Sequence, residues 1–145
     1  MILVIGIGNP LRSDDGVGQA AALEIGRCLP SQDVEILAVH QLTPELVEPI
    51  SRAERVIFLD ADVENPPGHI VVTPLRPSDE AAGAFTHHVS PAGLLLGAQQ
   101  LYETSPQGYL ISIGASSFKF SETFSPQVQA AFFEYVTTVR QLIED

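Results

Sequence analysis

The residues best equipped for chemistry in this chain are carboxylates and imidazoles that fall at the ends of apolar runs. Asp14 and Asp15 stand together in a polar loop that follows the run at 2–5. Asp60, with Asp62 two residues on, closes the run Val56-Ile57-Phe58-Leu59. His87 and His88 are adjacent just ahead of a Ser90-Pro91 pair, and His40 ends a further run at 34–39. Carboxylates with imidazole form a donor set for a borderline divalent metal such as nickel or zinc. Such an ion can polarise a carbonyl or activate water. No Ser, Cys or Thr nucleophile with an adjacent base is evident, which disfavours covalent catalysis.

Each candidate also has a plainer role. Asp14 reads first as a helix cap. For Asp15 capping and ligation weigh equally, and a helix N-terminus there would favour the ionised carboxylate. A charge at the lip of a core strand needs a partner, so a turn contact or ion pair competes for Asp60. Asp62 is expected in solvent. His69 is expected as a packed or exposed ring in a strand, and His40 is a weaker candidate at the site's edge.

The elements that must position these groups follow from patterning. Short continuous apolar runs at 2–5 and 56–59 predict strands buried on both faces, and 34–39, 109–113 and 69–73 read as further strands. That last run follows a Pro66-Pro67-Gly68 turn and is expected to pair antiparallel with its neighbour. Helical spacing appears in Val17, Ala21, Ile25, Cys28 and Leu29, and is clearest in Val128, Ala131, Phe132, Tyr135, Val136, Val139, Leu142 and Ile143. Thr43-Pro44, Ser90-Pro91 and Ser125-Pro126 read as helix starts. The order β-α-β-α-β-β-α-β-α predicts a single-domain α/β fold spanning 1–145. Its sheet is mostly parallel, five-stranded and twisted, with helices on both faces and one strand antiparallel. The first strand is expected between the second and third, with the chain reversing between first and third. Ligands bind beyond the carboxyl ends of the strands at such a reversal, where Asp14, Asp15, Asp60 and Asp62 would converge.

Bulk properties bound the function. A chain of 145 residues suits one domain, and 45% apolar residues argue against disorder. The formal net charge of -11 repels phosphate backbones, so no nucleic-acid partner is expected, and it favours a basic surface or a cation. The single cysteine, Cys28, cannot form an internal disulfide and is read as core filling. The apolar N-terminus is too short for a membrane span and lacks a basic flank, so a cytoplasmic protein with no membrane partner is expected. Gly6-Ile7-Gly8 looks like the opening of a dinucleotide-binding fingerprint, but its third glycine would fall at Leu11. No organic cofactor is expected.

The stretch Gly6-Ile7-Gly8-Asn9-Pro10-Leu11-Arg12-Ser13-Asp14-Asp15-Gly16-Val17-Gly18 closely resembles the N-terminal signature of the nickel-iron hydrogenase maturation proteases. Val56-Ile57-Phe58-Leu59-Asp60-Ala61 resembles the family's second acidic motif. His40-Gln41-Leu42-Thr43-Pro44-Glu45-Leu46 looks like a member serving a bidirectional or related cytoplasmic hydrogenase. The resemblance covers most of the chain. It implies an endopeptidase that removes a C-terminal extension from a hydrogenase large-subunit precursor after nickel insertion; a monomer is a separate expectation that the sequence itself does not reveal. Nickel would arrive with that substrate. By position Asp15 and Asp60 match the family's acidic metal-contacting residues. Some members carry the histidine directly after a Ser-Pro pair, where this chain has Ala92. Thr86-His87-His88-Val89-Ser90 fits the alternative pattern, with His87 preferred to His88 as ligand. Which carboxylate is the base stays open. A metal-binding or nickel-checking maturation factor without peptidase activity is the second reading. A separate expectation concerns the aromatic run Phe118, Phe120 and Phe124, of which Phe118 and Phe120 alternate with polar residues. Core packing is the favoured reading for them, and contact with the large subunit the alternative.

Overall fold

A computed structural model describes residues 1–30, 33–79 and 89–145. Five strands form one sheet in the order β2-β1-β3-β5-β4: β1 is Ile2–Ile7, β2 Val34–Val39, β3 Arg55–Asp62, β4 Ile70–Leu75 and β5 Gln107–Gly114. The helices are α1 (Val17–Cys28), α2 (Val47–Ser51), α3 (Pro91–Tyr102) and α4 (Pro126–Glu144). The expected single α/β sheet, parallel but for one strand, is what the chain forms, and β1 lies between β2 and β3 as expected.

Strand alternation divides the core into two layers. Leu3, Ile5 and Ile7 of β1, with Val56 and Phe58 of β3, pack on Val47 and Ile50 of α2 and Leu94, Leu95 and Ala98 of α3. Val4, Ile57, Leu59, Ile111 and Ile113 face the other way. They meet Val17, Ala21 and Ile25 of α1 and Val128, Tyr135 and Val139 of α4. Because both faces are covered, the central strands read as unbroken apolar runs. Burying one such side chain fully contributes roughly 1.5–3 kcal/mol, so these layers fix the register that places the loops.

Two of the three helix starts carry the expected cap. The Ser90 hydroxyl accepts from the Gly93 N–H at 3.0 Å, and Ser125 accepts from the Val128 N–H at 3.5 Å. Thr43 makes no side-chain cap bond; Pro44–Leu46 is a 3₁₀ turn, and α2 begins only at Val47. The strand after the Pro-Pro-Gly turn is antiparallel, but its partner is β5 rather than the preceding β3. Eight residues of β5 pair parallel along that side of β3, so β4 is left at the edge. An edge strand also tolerates Pro74, which cannot donate to a ladder. Cys28 is half-buried at the end of α1 beside the Glu24 carboxylate, not in the core. Among the described residues, no helix is long and apolar enough to cross a membrane.

Candidate active site

The loop after β1 is built around Gly8. Its φ of +132° is a conformation that side chains rarely adopt, and a Cβ there would lie 1.8 Å from the Asp15 carbonyl oxygen. The space over this glycine is therefore filled by the chain's own turn rather than left for a diphosphate. The Gln19 amide, buried in α1, donates to the Gly8 carbonyl at 2.7 Å. Gly18 has the same kind of reason: a Cβ would stand 2.3 Å from the Leu59 carbonyl oxygen. The glycines thus let α1 begin directly on β1 and β3, a packing role that accounts for them without a nucleotide.

Asp14 and Asp15 sit in a 3₁₀ turn, Ser13–Gly16, that leads into α1. They point to different environments. The Asp15 carboxylate is half-buried and accepts from the Asn9 N–H at 2.8 Å. Asp14 is fully buried. Its carboxylate accepts from the backbone N–H groups of Ser116 (2.7 Å), Ser117 (3.0 Å) and Ser125 (2.7 Å), and from the Ser125 hydroxyl (2.7 Å). Burial alone would raise its pKa, but these donors together hold the carboxyl below its usual range. Asp14 therefore does not cap its own helix, as first expected; it ties the loop to the segment at 116–125.

Asp60 follows Phe58 on the α2 and α3 face of β3, opposite Ser112 of β5 in register. Burial, with a smaller contribution from the charges of Asp15 and Asp62, pushes its carboxyl up to about 7, against a stabilising hydrogen bond from the Ala61 backbone. Asp62 is a turn-former rather than a solvated charge. It accepts from the N–H groups of Glu64 and Asn65 at 2.9 and 2.8 Å, and from the Asn65 amide at 2.8 Å. Behind the β3–β5 ladder the fully buried Tyr135 donates to the Ile111 carbonyl at 2.7 Å.

Asp15 and Asp60 line one cleft of about 330 Å³ at the carboxyl ends of β1 and β3, with His40, Gln41 and Leu42 after β2 on one side and Val89, Pro91 and Leu110 on the other. This is where chain reversal was expected to place a site. His40 reaches its edge as anticipated. The walls at Gln41, Val89 and Leu110 were not singled out; the signal for the first two was position alone, after a strand and before a helix start, and Leu110 lies within β5. A larger hollow of about 580 Å³, lined by Glu54, Arg55 and Gln107, lies at the opposite end of the sheet, away from the paired carboxylates. His87 and His88 lie outside the described residues. Among the described residues, no group of three or more His, Cys, Asp or Glu could hold a metal ion. Two convergent carboxylates, one of them titrating near neutrality, can bind a cation or move a proton to and from water.

The expectation that Phe118 and Phe120 fill the core fails for Phe120. It is 82% exposed, with the Arg12 guanidinium 4.8 Å from its ring centre. The segment at 115–124 forms turns and one bridge, Arg12 to Ser121, rather than a strand that would give the two rings a shared face.

No family model matches the chain, and no curated protein matches it. Solved structures do. The chain is similar to the hydrogenase maturating endopeptidase HybD from E. coli at 25% identity, covering 99% of this chain and 91% of that one with a TM-score of 0.78. It is similar at 28% identity to the hydrogenase 2 maturation peptidase from Thaumarchaeota archaeon SCGC_AB-539-E09, over 99% and 97% of the chains, with a TM-score of 0.69. The [NiFe] hydrogenase maturation protease HycI from Thermococcus kodakarensis KOD1 shares the fold, with a TM-score of 0.79, 22% identity and coverage of 99% and 92%.

Proposed function

Starting from the hydrogenase maturation protease family, which these whole-length matches support, we propose that this chain cleaves the C-terminal extension from a nickel-loaded hydrogenase large-subunit precursor. The neighbours are named endopeptidases, which supports a peptide-bond hydrolase with a maturation role. The observation that carries the finer reading is the meeting of Asp15 and Asp60 in one cleft at the strand ends.

In this reading nickel is part of the substrate. The two carboxylates contact it with His87 or His88 as the third donor, a nitrogen and oxygen set suited to that ion. Cleavage is then confined to precursor in which insertion has occurred. The chemical step adds water across the scissile amide. One carboxylate of the pair takes a proton from the attacking water and returns one to the leaving amine. Asp15, held by the Asn9 N–H, contributes an oxygen donor to the metal contact.

The test is incubation of the purified protein with nickel-loaded and nickel-free precursor, followed by the mass of the large subunit. The reading predicts loss of the extension from the loaded form alone. Equal trimming of both forms would remove the nickel dependence. Tight binding with unchanged mass would favour a checking factor without peptidase activity.

A further inference from the structure

Asp14 is an ionisable side chain with no exposure that the proposed chemistry does not use. Its four hydrogen bonds join the turn that carries one cleft carboxylate to the extension of the strand beside the other. On one side is the turn bearing Asp15. On the other is the segment that continues from β5, whose residues Ser112 and Gly114 pair with Asp60 and Asp62 of β3. The backbone adds to this joint. The Asp14 N–H donates to the Ser117 carbonyl at 3.1 Å, the Ser13 N–H to the Ser121 carbonyl at 2.8 Å, and the Ser13 hydroxyl to the Thr123 carbonyl at 2.8 Å. Ser13, also buried, has φ +52°, a conformation that persists for a non-glycine residue only where its surroundings impose it.

We propose that Asp14 is a positioning residue: its buried carboxylate, bonded to Ser116, Ser117 and Ser125, sets where Asp15 stands relative to Asp60. The inference rests on the reading that these two carboxylates act together on one substrate. Without the carboxylate, the turn at 13–16 keeps only its backbone and Ser13 contacts to the β5 extension and loses the four bonds nearest Asp15. An asparagine cannot replace the carboxylate. One of its atoms is an NH2 group, which would face the Ser125 N–H, donor against donor, inside a buried site.

The experiment compares Asp14→Asn with the unaltered protein in two ways. Crystal structures of both report the separation of the Asp15 and Asp60 carboxylates. Single-turnover trimming of nickel-loaded precursor reports the rate at saturating enzyme and the enzyme concentration giving half that rate. Val139→Ala, a core change in α4 remote from the cleft, serves as a reference for lost stability. Expected for Asp14→Asn is an Asp15 carboxylate moved by about 1 Å on an otherwise superposable sheet, with the saturating rate down on the order of 100-fold and the half-rate concentration nearly unchanged. Val139→Ala keeps its rate below its own melting range. If Asp14→Asn does not fold, Ser125→Ala, which removes one of the four donors, is expected to give a smaller displacement in the same direction. An unmoved Asp15, or a rate loss no greater than that of Val139→Ala at equal loss of thermal midpoint, would overturn the proposal. Should the unaltered protein leave nickel-loaded precursor intact, the proposed function falls, and the crystallographic comparison still decides the positioning role.

Discussion

Asp15, in the turn after β1, and Asp60, near the end of the neighbouring parallel strand β3, reach the same cleft, and the Asp15 charge adds to the burial that pushes the Asp60 carboxyl up to about 7. Neither carboxylate has a basic side chain within ion-pair distance among the described residues. Two acids set side by side without a cation store unfavourable charge, and a cation arriving with a substrate would relieve it.

That arrangement has a consequence for stability in the free protein. Between about pH 4 and 7 the native Asp60 keeps a proton that the unfolded chain has lost, so its contribution falls as pH rises through this window and is fully lost above 7. Asp60→Asn removes the term. The variant should be more stable than the unaltered protein at pH 8, by on the order of 4 kcal/mol, with the difference shrinking toward pH 4. Denaturant titrations of both proteins at pH 4.5, 6 and 8 check this; a difference independent of pH would contradict it.

Gly8→Ala should be severe. The new Cβ would strike the Asp15 carbonyl at a backbone angle unsuited to alanine. Loss of roughly 2–4 kcal/mol is expected, together with displacement of Asp15 and loss of trimming. Gly26→Ala in α1 is the contrast. There the nearest atom is the Ile36 side chain at 3.1 Å, and the helix gains about 1 kcal/mol in propensity, so a change within about 1 kcal/mol of zero is expected. Thermal midpoints of the pair measure both effects, and similar midpoints for the two variants would count against the turn geometry.

Tyr135→Phe deletes one hydroxyl and leaves the Ile111 carbonyl without that donor. A cost of about 1 kcal/mol, or roughly 3 °C in thermal midpoint, is expected. A variant as stable as the parent would show that the bond contributes nothing net.

Much of this was legible in the sequence because burial on both faces leaves unbroken apolar runs, and helix starts carry Ser-Pro pairs with a defined physical job. Ser90 and Ser125 kept that job, while Thr43 lost it to a 3₁₀ turn that no local pattern announced. The convergence of Asp15 and Asp60 followed from strand order, a property of the whole sheet that the alternation of elements constrains. The role of Asp14 was not readable. Its partners lie more than 100 residues along the chain, in a segment without periodicity. For Asp62 the clue was present, since an aspartate three residues before Asn65 and near Pro66 is suited to a turn. Phe120 misled because alternation implies a strand face only where a strand forms.

The central claim is that Asp15 and Asp60 together act on a nickel-loaded precursor. Its most direct test is the intact mass of that precursor after incubation with the unaltered protein, with Asp15→Ala and with Asp60→Ala, each variant first checked for a cooperative thermal transition. The account predicts a large subunit shortened by its C-terminal extension with the unaltered protein, and full-length precursor with either folded variant. Trimming by a folded variant at the unaltered rate would contradict it.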